Sequence, residues 1–322
     1  MKINCKVCNN NSNNLVLTVS EMMLETGDKF KYCKCSSCGC LSLLNIPKDI
    51  DKYYPSSYYS FTKIHTITNK NLLNTIKRFI RVRAMKGKLG CGTFINSLIY
   101  KIKPIAYDWL KKDLVSLNSK ILDVGCGNGF LVNELEKYGF NNLIGIDLYT
   151  DTNIESNGYK IYQSNIHSLD ESKFDLIMYH HSFEHINNPH KELKVVYDKL
   201  KDDGTLILRV PVCDSYAFEK YKQNWVQLDA PRHYFLYTIK SMSILSEENG
   251  FKIDAVYYDS NVFQFIGSEC YLQNVKFSDY KTIFTESDIK EFEKKSNELN
   301  LSGSGDQVCF YLKKNINFNS KI

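Results

Sequence analysis

No apolar run in this 322-residue chain approaches the length of a membrane span, so no transmembrane helix is expected. Its first residues, Met-Lys-Ile-Asn-Cys-Lys, lack the apolar core of a secretory leader. Charge of one sign is also scarce. Forty-one Lys and Arg face 36 Asp and Glu, and the resulting +5 is too mild to imply nucleic-acid binding by itself. Without a leader, eleven cysteines point to a reducing, cytoplasmic setting and to metal binding rather than disulfides. At position 130, where a dinucleotide-binding turn requires glycine or alanine, the chain has Phe130, and this argues against a dinucleotide fingerprint.

The stretch that is present there organises the rest. Ile121 to Val124 is a short apolar run with one acid, which reads as a buried parallel strand. Gly125, Gly127 and Gly129 follow at alternate positions, and Phe130 to Tyr138 then shows helical spacing of apolar residues. Strand, glycine turn and helix in that order open a nucleotide-binding α/β fold. A second strand, Asn142-Leu-Ile-Gly-Ile-Asp147, ends in a carboxylate placed to accept hydrogen bonds from ribose hydroxyls.

On these residues the chain resembles the class I S-adenosylmethionine (SAM)-dependent methyltransferases, whose first motif looks like Leu122-Asp-Val-Gly-Cys-Gly-Asn-Gly129. Phe174-Asp175, Glu184-His185, Pro189, Gly204 and Val210-Pro211 match later family landmarks in the right order. The resemblance implies an α/β fold with a doubly wound, mostly parallel seven-stranded sheet and SAM as cofactor. Asp123, Gly125, Cys126, Gly127, Gly129 and Asp147 are the expected cofactor residues, with Asn165 at the adenine edge and His180 lining the pocket. The loop His180-His-Ser-Phe-Glu-His185 falls at the end of the fourth strand. It holds residue types that carry protons, so His181, then Glu184 and His185, are catalytic candidates. Glu184 and His185 could equally orient the following helix.

A further polar set, Asp229-Ala-Pro-Arg-His233, suits the acceptor side: Arg232 for a phosphate or carboxylate, His233 for a hydroxyl. A purely structural turn is the competing reading. Asp202-Asp-Gly204 is expected to turn into strand five, Thr205–Val210, and the region 261–305 reads as an insertion with helical character.

The N-terminal sixty residues differ in kind. Cys5-x-x-Cys8 and Cys35-x-x-Cys38 each form a knuckle that can present two thiolates to one tetrahedral zinc ion. Cys33 and Cys40 compete for the same role. A hairpin is expected between the knuckles, around Leu15–Val19 and Phe30–Tyr32. Such a closed site would be structural. Tyr53 to Tyr59 holds four tyrosines, suited either to stacking on sugars or to packing.

Between Asn71 and Lys103 the chain carries eight basic residues and no acid. Amphipathic helices are expected there, with a third over Tyr107–Leu117. Such a connector could meet an anionic membrane surface or a phosphate-bearing or lipid-linked glycan, or could simply pack on the catalytic domain.

The expected organisation is therefore a zinc-binding module over 1–60, a basic helical connector over 61–118 and a methyltransferase domain over 119–322. Knuckles, tyrosine segment and core in that order resemble bacterial methyltransferases of sugar and polysaccharide pathways. A sugar or nucleotide-sugar acceptor is the implied partner, with peripheral membrane contact open and no nucleic acid. The C-methylating relatives tend to carry a further domain beyond the core, whereas 315–322 is a short tail, so O-methylation is expected over C- or N-methylation. A non-catalytic SAM-binding or zinc scaffold is the reading from a different class.

Overall fold

The computed structural model describes residues 3–55, 72–90, 93–102, 107–111, 114–150, 153–156 and 158–318. In chain order its elements begin with β1 (Leu15–Ser20), β2 (Lys29–Lys34), β3 (Leu41–Leu43), α1 (Leu72–Lys88) and α2 (Phe94–Ile102). Then come β4 (Ile121–Val124), α3 (Phe130–Lys137), β5 (Leu143–Asp147), β6 (Ile154–Glu155), β7 (Tyr159–Gln163), β8 (Phe174–His180), α4 (Pro189–Lys199) and β9 (Leu200–Pro211). The chain finishes with α5 (Tyr216–Tyr221), β10 (Phe235–Leu236), α6 (Ile239–Glu248), β11 (Phe251–Tyr258), α7 (Phe263–Leu272), α8 (Glu286–Leu301) and β12 (Gln307–Lys314). By their contacts they fall into two compact units, one of residues 1–55, 181–193 and 208–322, the other of 56–180 and 194–207.

The second unit holds the glycine loop. Its strands run in the order β9-β8-β4-β5-β7-β6. Leu122 lies opposite Ile144 on β5 and Ile177 on β8, both in parallel register. Strands buried on both faces must be apolar nearly throughout, and β4 is, apart from Asp123. The order reverses at β4, with β5 on one side and β8 on the other. In such sheets a crevice opens beyond the carboxyl ends of these strands.

One sequence expectation changes here. Eight strands occur in the order β11-β12-β9-β8-β4-β5-β7-β6 rather than seven, the addition being the two-residue β6 paired antiparallel to β7. The strand label β9 begins at Leu200, yet the chain bends at Asp202-Asp-Gly204 as expected: a Cβ on Gly204 would lie 2.8 Å from Leu200 Cγ and 3.0 Å from the Lys201 carbonyl oxygen, which an extended strand does not allow.

In the basic region α1 and α2 pack together, with Gly87 at the crossing. A Cβ there would sit 2.2 Å from the Asn96 carbonyl oxygen, so only glycine permits the approach. Arg78 pairs with Glu136 of α3 at 2.7 Å, so α1 also leans on the sheet's first helix. Leu73, Ile76 and Phe79 on α1 and Phe94, Ile95, Leu98 and Ile102 on α2 are exposed. The described part of Tyr107–Leu117 is turn rather than helix. Among the described residues no helix is long and apolar enough to cross a membrane.

The first unit contains the antiparallel sheet β1-β2-β3-β10, which includes the expected hairpin. Val19, Tyr32, Leu41, Trp225, Leu236 and Phe265 meet in its core. Strands β11 and β12 pair antiparallel in the same unit. The 261–305 insertion supplies α7 and α8, and α8 starts with a capping box from Thr285 and Asp288. Tyr58 and Tyr59 of the tyrosine segment lie outside the described residues.

Candidate functional site

In the second unit the glycine loop is tied to the tips of β4 and β5. The Gly125 and Cys126 amides donate to the Ile146 carbonyl at 2.8 and 3.1 Å, and the Gly127 amide donates to Asp147 Oδ2 at 2.9 Å. Tyr149 N–H donates to the other Asp147 oxygen at 2.8 Å. The loop therefore spends most of its own amides on holding its shape. It offers a ligand space free of side chains, together with the remaining lone pairs of Asp147. Gly129 caps α3 with φ of 80°, and a Cβ there would lie 2.0 Å from Ile161 Cδ1.

Asp123 is buried below the loop. Burial, then the charge of Asp147, pushes its carboxyl up to about 7. The Cys126 thiol is likewise pushed up by burial, which makes it a packing residue and not a nucleophile. Asn165 uses its side-chain oxygen to accept from the amides of His167 and Ser168, shaping the turn after β7. His180 ends β8 with its ring 4.6 Å from that of Trp109, a neighbour to which no local motif points.

The cysteine cluster lies in the first unit. The sulfurs of Cys5 and Cys38 are 3.6 Å apart, as are those of Cys8 and Cys35, and all four lie within 4.8 Å of one another. Tetrahedral ligands at a 2.3 Å metal–sulfur bond would be separated by roughly 3.8 Å. Amides of Val7 and Cys38 donate to the sulfurs of Cys5 and Cys35, as knuckle turns do. Contact with Cys38 lowers the Cys5 thiol to about 5, and Cys38 is raised in turn. Four sulfurs this close cannot all ionise without a cation between them. Cys33 and Cys40 stand outside the cluster, one on β2 and one against the Leu41 carbonyl.

The same unit gathers three of the predicted proton-carrying residues around Glu184, which is fully buried. His181 Nδ1 stands 3.6 Å and His233 Nε2 3.8 Å from Glu184 Oε1. The rings of His185 and His233 have centroids 4.9 Å apart. Burial works to raise the Glu184 carboxyl, but the nearby imidazoles outweigh it and hold the group at about 2. His185 is lowered by burial and by the charge of His233.

His181 has φ of 54°, a conformation that costs a non-glycine residue strain. Its Nε2 meets Arg209 Nη1 at 2.8 Å; a guanidinium only donates, so Nε2 is the acceptor and Nδ1 carries the proton. Arg209 is in turn held by Asp259 at 2.6 Å. An arginine inside the apolar strand Leu206–Val210 was the available sequence signal for this partner.

Arg232 does not face a ligand. It is fully buried, donates from Nε to both Asp229 oxygens at 3.0 Å, and reaches Glu21 at 3.1 Å and the Tyr53 carbonyl at 3.2 Å. Its charge is spent on two carboxylates, which corrects the expectation that it suits a substrate phosphate. The arrangement fixes the 229–233 turn, whose Arg232 carbonyl accepts from His185 Nδ1 at 2.8 Å. Tyr54 Oη lies 3.2 Å from the same nitrogen, so one tyrosine of the N-terminal segment does reach the cluster.

Residues 103–256 match the family described as a methyltransferase domain. A 61-residue stretch is 36% identical to human EEF1A lysine methyltransferase 2, covering 19% of this chain and 25% of that protein. Another of 126 residues is 29% identical to the ubiquinone biosynthesis O-methyltransferase of Glaesserella parasuis, covering 34% and 53%. The chain thus spans between a quarter and about half of the length of these curated relatives. Among solved structures, a SAM-dependent methyltransferase from Mesorhizobium loti aligns over 62% of this chain and 94% of its own, with TM-score 0.41 and 15% identity. The family match agrees with the resemblance read from the glycine motif.

Proposed function

We propose that this chain is a SAM-dependent methyltransferase that methylates a hydroxyl oxygen of a sugar, in polysaccharide or nucleotide-sugar synthesis. The observation that carries the reading is the self-supported glycine loop with Asp147 at the tip of the next strand, inside the segment that matches a methyltransferase domain. Gly125, Gly127, Gly129 and Asp147 would hold the cofactor, with Asn165 and His180 at its edges. When bound, SAM supplies an electrophilic methyl group on a cationic sulfur.

The first unit supplies the proton chemistry. His181 has 30% of its side chain exposed, and its Nε2 lone pair is held by Arg209. His181 would take the proton of an acceptor hydroxyl at Nε2 once that hydroxyl displaces the guanidinium. Glu184, buried and ionised near His181 Nδ1, stabilises the imidazolium that forms. A hydroxyl is favoured over a carbon acceptor because the cluster provides proton acceptors and no set of donors aimed at an enolate. The sugar rests on the N-terminal resemblance, with residues 1–60 as zinc module, 61–118 as connector and 119–322 as catalytic domain.

The test is to incubate the protein with methyl-labelled SAM and a panel of nucleotide sugars and capsule fragments, then locate the methyl by NMR. Methyl on oxygen, slowed in His181→Ala while SAM affinity holds, supports the proposal. Methyl on a ring carbon would defeat O-methylation. Calorimetry showing no SAM binding, in a protein that Gly127→Ala and Asp147→Ala leave unchanged, would favour the scaffold reading.

A further inference from the structure

Glu184 presents an unusual situation even for a catalytic cluster. It is completely buried, and neither of its carboxylate oxygens has a hydrogen-bond partner among the described residues. A buried carboxylate left in that state costs several kcal/mol unless a cation compensates it. Three imidazoles face it: His181, whose Nδ1 stands 3.6 Å from Oε1, and His185 and His233, whose orientation main-chain carbonyls fix. His185 Nδ1 meets the Arg232 carbonyl at 2.8 Å, and His233 Nδ1 meets the Gln227 carbonyl at 2.7 Å. A carbonyl can only accept, so both Nδ1 atoms carry protons and a neutral ring keeps its lone pair on Nε2.

His233 Nε2 then stands 3.8 Å from Glu184 Oε1 and 3.8 Å from Asp229 Oδ2. With His233 neutral, its Nε2 and the two carboxylate oxygens are three acceptors directed at one another, and a proton or a metal ion on Nε2 relieves their repulsion. Imidazoles that donate Nδ1–H to main-chain carbonyls and present Nε2 inward are the usual form of histidine metal ligands, with the carbonyls as their outer partners. One donor atom from each of Glu184, His185 and His233 lies within 4.8 Å of the others. Bonds of about 2.1 Å would bring such atoms to roughly 3–3.5 Å separation, a closure of about 1 Å.

We propose that Glu184, His185 and His233 form a binding site for a divalent transition-metal ion, separate from the cysteine cluster. Two imidazoles and one carboxylate suit zinc, iron(II) or cobalt(II) and leave coordination positions open. Half-buried His185 marks the open side of the site, since Glu184 and His233 are buried. The role of the ion rests on the methyl-transfer reading above: it takes the acceptor hydroxyl as a further ligand and lowers its pKa, so that His181 removes the proton more readily. Metal binding itself does not depend on that reading.

The probe is Co²⁺ added under anaerobic conditions to the full chain with its cysteine cluster already filled with zinc. One equivalent should bind with ligand-field absorption and no thiolate-to-cobalt charge-transfer band. Glu184→Gln should weaken this binding more than about tenfold. So should His233→Asn, which keeps a donor near the Gln227 carbonyl and removes Nε2. Unchanged zinc content and near-ultraviolet dichroism identify variants that remain folded. Should either variant fail to fold, the wild type still decides: two hyperfine-shifted, solvent-exchangeable imidazole N–H resonances are expected in proton NMR. No cobalt uptake beyond the cysteines, uptake that both variants leave intact, or a bound form without shifted N–H resonances would each overturn the site. A chain that binds cobalt here but not SAM would uphold the site and defeat the proposed function. One that binds SAM but not cobalt would overturn the site and leave the proposed function standing.

Discussion

Replacing Arg232 by Met tests how the acceptor-side turn is held. The guanidinium makes two bonds of 3.0 Å to Asp229, one of 2.5 Å to the same carboxylate, one of 3.1 Å to Glu21 and one of 3.2 Å to the Tyr53 carbonyl. Arg232 and Glu21 are essentially inaccessible to solvent. Methionine fills comparable volume but leaves two carboxylates facing each other without a cation. Breaking a buried ion pair in this way costs about 3–5 kcal/mol. The pH dependence sharpens the expectation. In the native chain burial would raise the Asp229 carboxyl, but the charge and hydrogen bonds of Arg232 more than offset it and leave it depressed. A depressed acid contributes stability above its unfolded pKa, and that stability is lost as pH falls through the folded value. Without Arg232 only the smaller effects of His233 and His185 oppose burial, so the folded pKa is expected to rise and the sign to invert: the variant loses stability as pH rises. Urea titrations at pH 5 and pH 8 should therefore show a larger deficit at pH 8. A deficit below about 1 kcal/mol, equal at both pH values, would refute the account of the cluster.

The glycine loop gives a second measurement. Gly129→Ala should cost about 2–4 kcal/mol, because φ of 80° is strained for alanine and its Cβ meets Ile161 Cδ1. Adding Ile161→Val removes that atom and should restore only the part due to the clash; full recovery in urea titration would show that backbone strain was misjudged. For the cysteine cluster, about one zinc per chain is expected in protein kept reduced. Cys8→Ser or Cys38→Ser should release it, while Cys33→Ser should not, as read by elemental analysis; equal loss in all three would remove the ligand assignment.

Much of the candidate site was legible because its signals are local. The alternation Gly125, Gly127, Gly129 between a buried strand and a helix fixes the turn from neighbouring residues alone, and so does the Cys-x-x-Cys spacing of each knuckle. Asp147 followed from its place at the end of the next strand, and here it meets Gly127. Asp202-Asp-Gly204 has turn chemistry, and the chain folds back there, with Gly204 against Leu200. The helix expected over Tyr107–Leu117 was a misreading, since its described part is turn.

By itself the sequence determined most of the strands and helices, the glycine turn and the two cysteine knuckles. Each of these depends on periodicity or on spacing within a few positions. Only the tertiary structure decided which residues meet. Arg232 bonds Glu21 across 211 positions, Tyr54 reaches His185 across 131, and Tyr32 Oη donates to the His233 carbonyl across 201. No local pattern encodes such pairs, because each partner is a single side chain on an otherwise ordinary segment. What selects them is the desolvation of charge. Once packing buries Arg232, its donors must find carboxylates. Once it buries Glu184, a cation must be brought to it, and the chain segments able to supply these partners lie far apart in sequence.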